Sequence, residues 1–260
     1  MNVIFFGDIF GKPGRSIIQK ELNSLIIEFQ VDVCIANGEN VAGGKGITEK
    51  TASQLFSSGI DVFTSGNHLW DKKDSLSFIK TESRIVKPLN SPERALGSKY
   101  YFKEIPTGEK IAIVSLVGQA FLGNADSPFF TLEKYLPEIK EQTNTVFVDF
   151  HAEATAEKRA FGFYFDGKVS AIIGTHTHIQ TADEEILPNG TAYITDVGMT
   201  GPHDSVIGIK KEIILEKIIT GMPQRYEASK NGLQINAVLV QIDEQGKAQT
   251  ITRIRRKYDN

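Results

Sequence analysis

Ala171-Ile172-Ile173-Gly174-Thr175-His176-Thr177-His178 is a short apolar run that leads straight into two histidines. It is too short for a stable helix and reads as a buried strand. Strand side chains alternate with period two, so His176 and His178 would point the same way if the extended backbone continued. That spacing offers a pair of imidazoles to one ligand, although a lone histidine on an apolar strand is more often a core or surface residue.

The same grammar recurs along the chain. Val3 to Phe6 ends at Gly7-Asp8. Val31 to Ala36 ends at Asn37-Gly38-Glu39-Asn40, and Ile60 to Thr64 ends at Ser65-Gly66-Asn67-His68. Thr145 to Phe150 ends at His151. In open α/β sheets, sites form where the carboxyl ends of strands meet, so five apolar runs that each end in oxygen or imidazole donors are expected to converge. Four of the five histidines fall at these ends. Two carboxylates, two amides and up to four imidazoles exceed the needs of one tetrahedral zinc, and two metals sharing a carboxylate would absorb them. Mixed nitrogen and oxygen donors suit Fe, with Mn or Zn as alternatives, better than Mg or Ca.

Between the strand candidates, Ile17, Ile18, Leu22, Leu25, Ile26 and Phe29 recur at helical spacing after a break at Gly11-Lys12-Pro13-Gly14. Further helices are expected from about Thr48, over Leu76 to Ile79, Leu132 to Glu141 and Lys210 to Ile219, with strands over Tyr100 to Ile105 and Ile111 to Val117. Asp166-Gly167, between Phe161 to Phe165 and Val169 to Ile173, predicts a hairpin, as does Asn189-Gly190. Ile235 to Ile242 is expected to pair with Gln249 to Ile254. Strand and helix alternate in the first half and hairpins dominate the second, which fits a mixed sheet or two packed sheets with outer helices better than a doubly wound parallel fold.

The chain of 260 residues carries a formal charge of -3 and one cysteine. One core and one domain, 1–260, are the default at this length. Near-neutral charge disfavours a broad nucleic-acid surface, leaving RNA open but not favoured. Cys34 lies in an apolar run and is expected to be a reduced, buried thiol, so any metal is held by nitrogen and oxygen. The start lacks a signal-peptide pattern and no run is long enough to span a bilayer, which implies a cytoplasmic protein without membrane association. The glycines of Val41 to Gly46 fail the P-loop pattern, with Gly44 where lysine is required, and remain either a flexible turn or a substrate-approach loop. Neither Gly-x-Ser-x-Gly nor His-Glu-x-x-His occurs.

Gly7-Asp8, Asn37-Gly38-Glu39-Asn40, Gly66-Asn67-His68, His151 and Gly174-Thr175-His176-Thr177-His178 resemble, in order, the motif blocks of the calcineurin-like metallophosphoesterases. They resemble more closely the YmdB-like 2',3'-cyclic nucleotide 2'-phosphodiesterase branch, over about residues 1 to 255. Phe10 stands where the wider superfamily has histidine, and Glu39 where it has a bridging aspartate; both departures are expected in this branch. The resemblance implies a four-layer α-β-β-α sandwich with two central mixed sheets flanked by helices and a di-iron or di-manganese centre. By position, Asp8, Glu39, Asn40 and His178 would hold one ion, and Glu39, Asn67, His151 and His176 the other, with Glu39 bridging. His68 is left as a proton donor to a leaving ribose oxygen, or as an electrophile near the phosphate.

Several residues keep plainer readings. Asp8 and Asn67 taken singly could be turn residues. His203 reads as a solvated loop histidine. Glu153 and Glu157 either orient His151 or are surface charge. Trp70 packs or stacks on a base, and Arg253, Arg255, Arg256 and Lys257 read as a solvated strand edge. The expected activity is hydrolysis of a small phosphoester such as a cyclic nucleotide, with loops Val41 to Gly46 and Thr200 to Ser205 choosing the substrate. The competing readings are a phosphomonoesterase, a nuclease on RNA ends, and a regulatory nucleotide- or protein-binding module. A homo-oligomer is left open.

Overall fold

A computed structural model of the chain describes residues 1–258, so the last two positions of the expected 1–260 domain lie outside it. In chain order the elements are β1 (Asn2–Phe6), β2 (Asp8–Ile9), α1 (Gly11–Phe29), β3 (Val33–Asn37), α2 (Glu49–Phe56), β4 (Val62–Thr64), α3 (Leu76–Thr81), β5 (Tyr100–Glu104), β6 (Lys110–Val117) and α4 (Pro128–Lys140). They continue as β7 (Val146–His151), α5 (Thr155–Phe165), β8 (Ala171–Thr175), β9 (Glu185–Ile186), β10 (Ala192–Ile194), β11 (Met199–Pro202), α6 (Lys211–Thr220), β12 (Leu233–Ile242) and β13 (Ala248–Lys257).

The strands form two sheets. One runs β2-β11-β12-β1-β3-β4, with β13 also paired to β12, and the other runs β5-β6-β7-β8-β10-β9. Both are mixed: β1, β3 and β4 are parallel while β12 runs against β1, and β6, β7, β8 and β10 are parallel with antiparallel edges β5 and β9.

The unbroken apolar runs have a simple cause. Along β1, Ile4 and Phe6 enter a core shared with Ile18, Leu22 and Leu55 of α1 and α2, whereas Val3 and Phe5 enter a second core with Phe147 and Ile173 of the other sheet. The Phe5 and Phe147 rings stack there at 5.5 Å. On the far side, Val148, Phe150 and Ile172 pack against Leu132, Leu136, Phe161 and Phe165 of α4 and α5. Each central strand is thus covered on both faces, which removes the polar alternation a half-exposed strand would show. The result is the expected α-β-β-α sandwich of two mixed sheets.

Two local expectations are corrected. Phe161 to Phe165 is not the first arm of a hairpin but the end of α5, and Gly167, at φ +76°, follows that helix end in the left-handed region. Because β7 and β8 are parallel neighbours, their link must cross over the sheet, and a helix does this where a hairpin cannot. Gly11-Lys12-Pro13-Gly14 is the first turn of α1 rather than a break before it, a position where proline's missing N–H is harmless. The hairpins β9 to β10 and β12 to β13 form as read.

Cys34 is buried, and burial pushes its thiol up to about 12. Among the described residues no helix is long and apolar enough to cross a membrane. Trp70 packs against the core and donates to the Leu96 carbonyl at 2.9 Å. The basic end is ion-paired, Arg253 to Glu184 at 3.2 Å and Arg256 to Glu28.

Candidate metal centre

The carboxyl ends of β1, β3 and β4 in one sheet meet those of β7 and β8 in the other. Asp8, Glu39, Asn67, His151, His176 and His178 are thereby gathered from five separate stretches into one pocket. Asp8 and His151 are fully buried and Glu39 is 1% exposed, so these charges face one another instead of water. Gly66 permits the close approach of β4 and β7, since a Cβ there would collide with the His151 imidazole.

The donors form two overlapping groups. His151 Nε2 lies 3.1 Å from Glu39 Oε1, 3.1 Å from Asn67 Oδ1 and 3.0 Å from His176 Nδ1. Glu39, His151 and His176 each offer a ligand atom within 4.8 Å of the others. In the second group, Asp8 Oδ1 lies 3.7 Å from His178 Nε2 and accepts from Asn40 Nδ2 at 3.3 Å; that amide also reaches Glu39 Oε1 at 3.3 Å. Glu39 is common to both, and its other oxygen accepts from the His68 backbone N–H at 3.0 Å.

Partners outside the pocket decide which imidazole nitrogens are bare. The Thr175 hydroxyl donates to Asp149 Oδ1 at 2.6 Å, so toward His151 Nδ1, 2.9 Å away, it presents a lone pair and Nδ1 carries the hydrogen. Glu153 Oε2 sits 3.1 Å from His176 Nε2, and the Ile207 carbonyl 3.0 Å from His178 Nδ1. All three imidazoles are held by their outer nitrogen with the inner lone pair aimed at the pocket. Around His151 Nε2 the neighbours are then a carboxylate oxygen, an amide oxygen and another bare nitrogen. Acceptors that face one another in this way need a cation among them, and nitrogen and oxygen donors at this density fit a borderline metal ion.

The electrostatics follow from the same crowding. Burial alone would lower the His151 imidazole, but the carboxylates of Glu39 and Asp8 overcome it and bring it up to about 9, so that a proton on Nε2, facing Glu39 Oε1, answers the same crowd of acceptors and is what a bound metal ion would displace. Burial and the His151 charge push His176 down to about 4. Burial works to raise Asp8 and Glu39, yet the facing imidazoles hold both below the usual carboxylate range. Asp149, fully buried, is raised by that burial to about 6 against the pull of the His151 charge, and accepts from Asn37, Thr64 and Thr175.

The extended backbone does not persist beyond Thr175, contrary to the alternation argument. His176 and His178 lie in the left-handed region at φ +99° and +65°, and the turn sends them to different groups, His176 beside His151 and His178 beside Asp8. A buried pair braces this strained turn: Lys158 Nζ donates to the Thr175 carbonyl and to Asp196 Oδ2, both at 2.7 Å, and Asp196 Oδ2 accepts from Thr177 N at 3.1 Å.

Above the donors lies a cleft of about 620 Å³ lined by Gly43 to Lys45, His68, Lys72 and Glu153 together with Phe10, Ile207, Ile209 and Tyr226. The loop of Val41 to Gly46 therefore reaches the cleft, while Thr200 to Ser205 do not line it. His68 is half-buried on the wall with Nδ1 2.9 Å from Asp71 Oδ2. Glu153 holds His176 rather than His151, and Glu157 accepts from the Gln119 and Ala120 N–H groups. His203 is half-buried and bonded to the Met199 carbonyl at 2.9 Å, not a solvated loop histidine. Sequence reasoning missed Asp149, Thr175, Lys158 and Asp196. The first carries a signal, a charge in mid-run within Val146 to Phe150, whereas Lys158 is indistinguishable in sequence from a surface lysine.

The family model for YmdB-like protein matches residues 4–254. A 2',3'-cyclic-nucleotide 2'-phosphodiesterase of Bacillus subtilis strain 168 is 43% identical over 247 residues, covering 95% of this chain and 93% of the relative. A crystal structure described as a novel phosphatase from Mycoplasma pneumoniae superposes with a TM-score of 0.94 at 38% identity, covering 100% of this chain and 94% of that one. A hypothetical protein of Thermus thermophilus gives 0.93 at 38% identity, with 99% of both chains covered.

Proposed function

The chain belongs to the YmdB-like protein family, and from that membership we propose that it is a metal-dependent phosphodiesterase hydrolysing nucleoside 2',3'-cyclic phosphates. Asp8, Glu39, Asn40 and His178 hold one ion in this reading and Glu39, Asn67, His151 and His176 the other, with Fe first and Mn or Zn as alternatives. Turning the Asn40 amide by half a rotation brings its oxygen to the point its nitrogen now occupies. Once bound, the ion pair supplies Lewis acidity toward the phosphate and a water ionised near neutral pH.

The chain's own residues do the rest. Thr175, Glu153 and the Ile207 carbonyl keep the three imidazoles in the tautomers that face the pocket. In this reading His68, with Nδ1 2.9 Å from Asp71 Oδ2, gives a proton to the leaving ribose oxygen. A buried Cys34 thiol accords with a reducing, cytoplasmic setting.

The convergence of acceptors on His151 Nε2 carries this reading. Metal analysis of protein purified without added ions should find bound metal, and Glu39→Ala and His151→Ala should lose both metal and turnover. A folded His151→Ala protein with full activity would refute the assignment. A panel of 2',3'-cyclic, 3',5'-cyclic, mononucleotide and oligoribonucleotide substrates fixes the bond, and preference for long RNA would overturn the cyclic-nucleotide reading.

A further inference from the structure

Val206 and Ile209 exchange both backbone hydrogen bonds, at 2.9 and 3.0 Å, around Ile207 and Gly208. These two central residues have φ of +47° and +99°. A two-residue turn with both φ values positive calls for Asn, Asp or Gly at its first position, because a β-branched side chain crowds the left-handed backbone. Isoleucine opposes that preference here, and it buries little for the strain, being 51% exposed. Strain of this kind with no packing return clusters at functional sites. Ile207 lines the cleft, and its carbonyl holds His178.

The neighbouring segment is zipped to this turn, with Lys210 N donating to the Glu227 carbonyl and Ser229 N to the Gly208 carbonyl, each at 2.9 Å. It sets Tyr226 on the same cleft, 44% exposed, its phenol oxygen held by the Lys217 ammonium. Ile207, Ile209 and Tyr226 thus give an apolar flank to a cleft whose remaining lining includes Lys45, Lys72, His68 and the candidate metal donors. A flat apolar group joined to an anion is the ligand chemistry that matches this division, and the volume suits one small molecule.

We propose that Ile207 and Tyr226 form a nucleobase platform, so that the base of a single nucleotide rests on this flank while its phosphate lies over the donor cluster. The platform rests on the phosphodiesterase reading above and adds to it the part of the substrate that is selected. The test compares kcat/KM for adenosine 2',3'-cyclic phosphate with that for the base-free glycerol 1,2-cyclic phosphate, using the metal-loaded full chain. Tyr226→Ala should lower the ratio of the two about tenfold, through KM, as expected for a lost base-aromatic contact, and Tyr226→Phe should keep it. Ile207→Asn, which suits the turn, should lower the ratio while raising Tm. An unchanged ratio in both Tyr226→Ala and Ile207→Asn would overturn the platform. Should the wild type turn over neither ester, the reaction fails, and equilibrium dialysis then decides the platform: adenosine 3'-monophosphate must bind more tightly than glycerol 1-phosphate, and equal binding overturns it.

Discussion

The Thr175 hydroxyl, nearer to His151 Nδ1 than the Asn37 amide, settles which nitrogen of His151 turns to the pocket. Thr175 is fixed as a donor by the carboxylate of Asp149 and can only accept from His151 Nδ1, which leaves Nε2 for the pocket. Thr175→Val keeps the side-chain shape and deletes this relay. Outer partners of metal-binding histidines are commonly worth 10–100-fold in affinity, so the variant should retain metal about 10–100-fold less tightly against a competing chelator, with an unchanged circular dichroism spectrum. Thr175→Ser should restore retention, and a valine variant that holds metal like the wild type would remove the relay from the account. At this scale the sequence displayed every inward donor at the end of an apolar run. It did not display the relay, because an acceptor for Nδ1 is chosen by strand register, here His151 opposite Thr175, and register is a tertiary fact.

The element that decides the site's shape is the turn after β8. Period-two alternation would have put both imidazoles on one side, but the left-handed residues His176 and His178 distribute them between two donor groups. Lys158 from α5 and Asp196 after β10 hold that turn, each 1% exposed at the side chain. Lys158→Met leaves Asp196 buried without its cation and should cost about 3–5 kcal/mol in urea unfolding. Adding Asp196→Asn should recover part of the loss, and a simple sum of the two single effects would show that the pair does not act as a unit. The same helix explains the mistaken hairpin. Phe161-Gly162-Phe163-Tyr164-Phe165 has strand composition, yet Phe161 stacks on Phe150 at 4.2 Å and the crossover from β7 to β8 requires a helix there.

At the scale of the molecule, the pocket exists because two sheets bring their carboxyl edges together, and the middle core keeps them so. Phe147 is fully buried in that core, against Phe5 of the opposite sheet. Phe147→Ala should cost about 3–5 kcal/mol. If the chain is one cooperative unit, as we propose, circular dichroism and the fluorescence of Trp70, which packs on the other core, should report a single transition displaced together. Two separate transitions would divide the chain. The sequence by itself determined most of the order of strands and helices, though not the helix over Phe161 to Phe165; it also determined a mixed sheet or two packed sheets with outer helices, and the oxygen and imidazole groups waiting at the strand ends. These follow from local periodicity and from what must be hidden from water, whereas the four layers came from the family resemblance. Only the tertiary structure decided which donor faces which, which nitrogen is bare, and which loop walls the cleft. Those depend on register, crossover and left-handed turns, through which residues more than a hundred positions apart, such as Asp8 and His176, come within 3.2 Å.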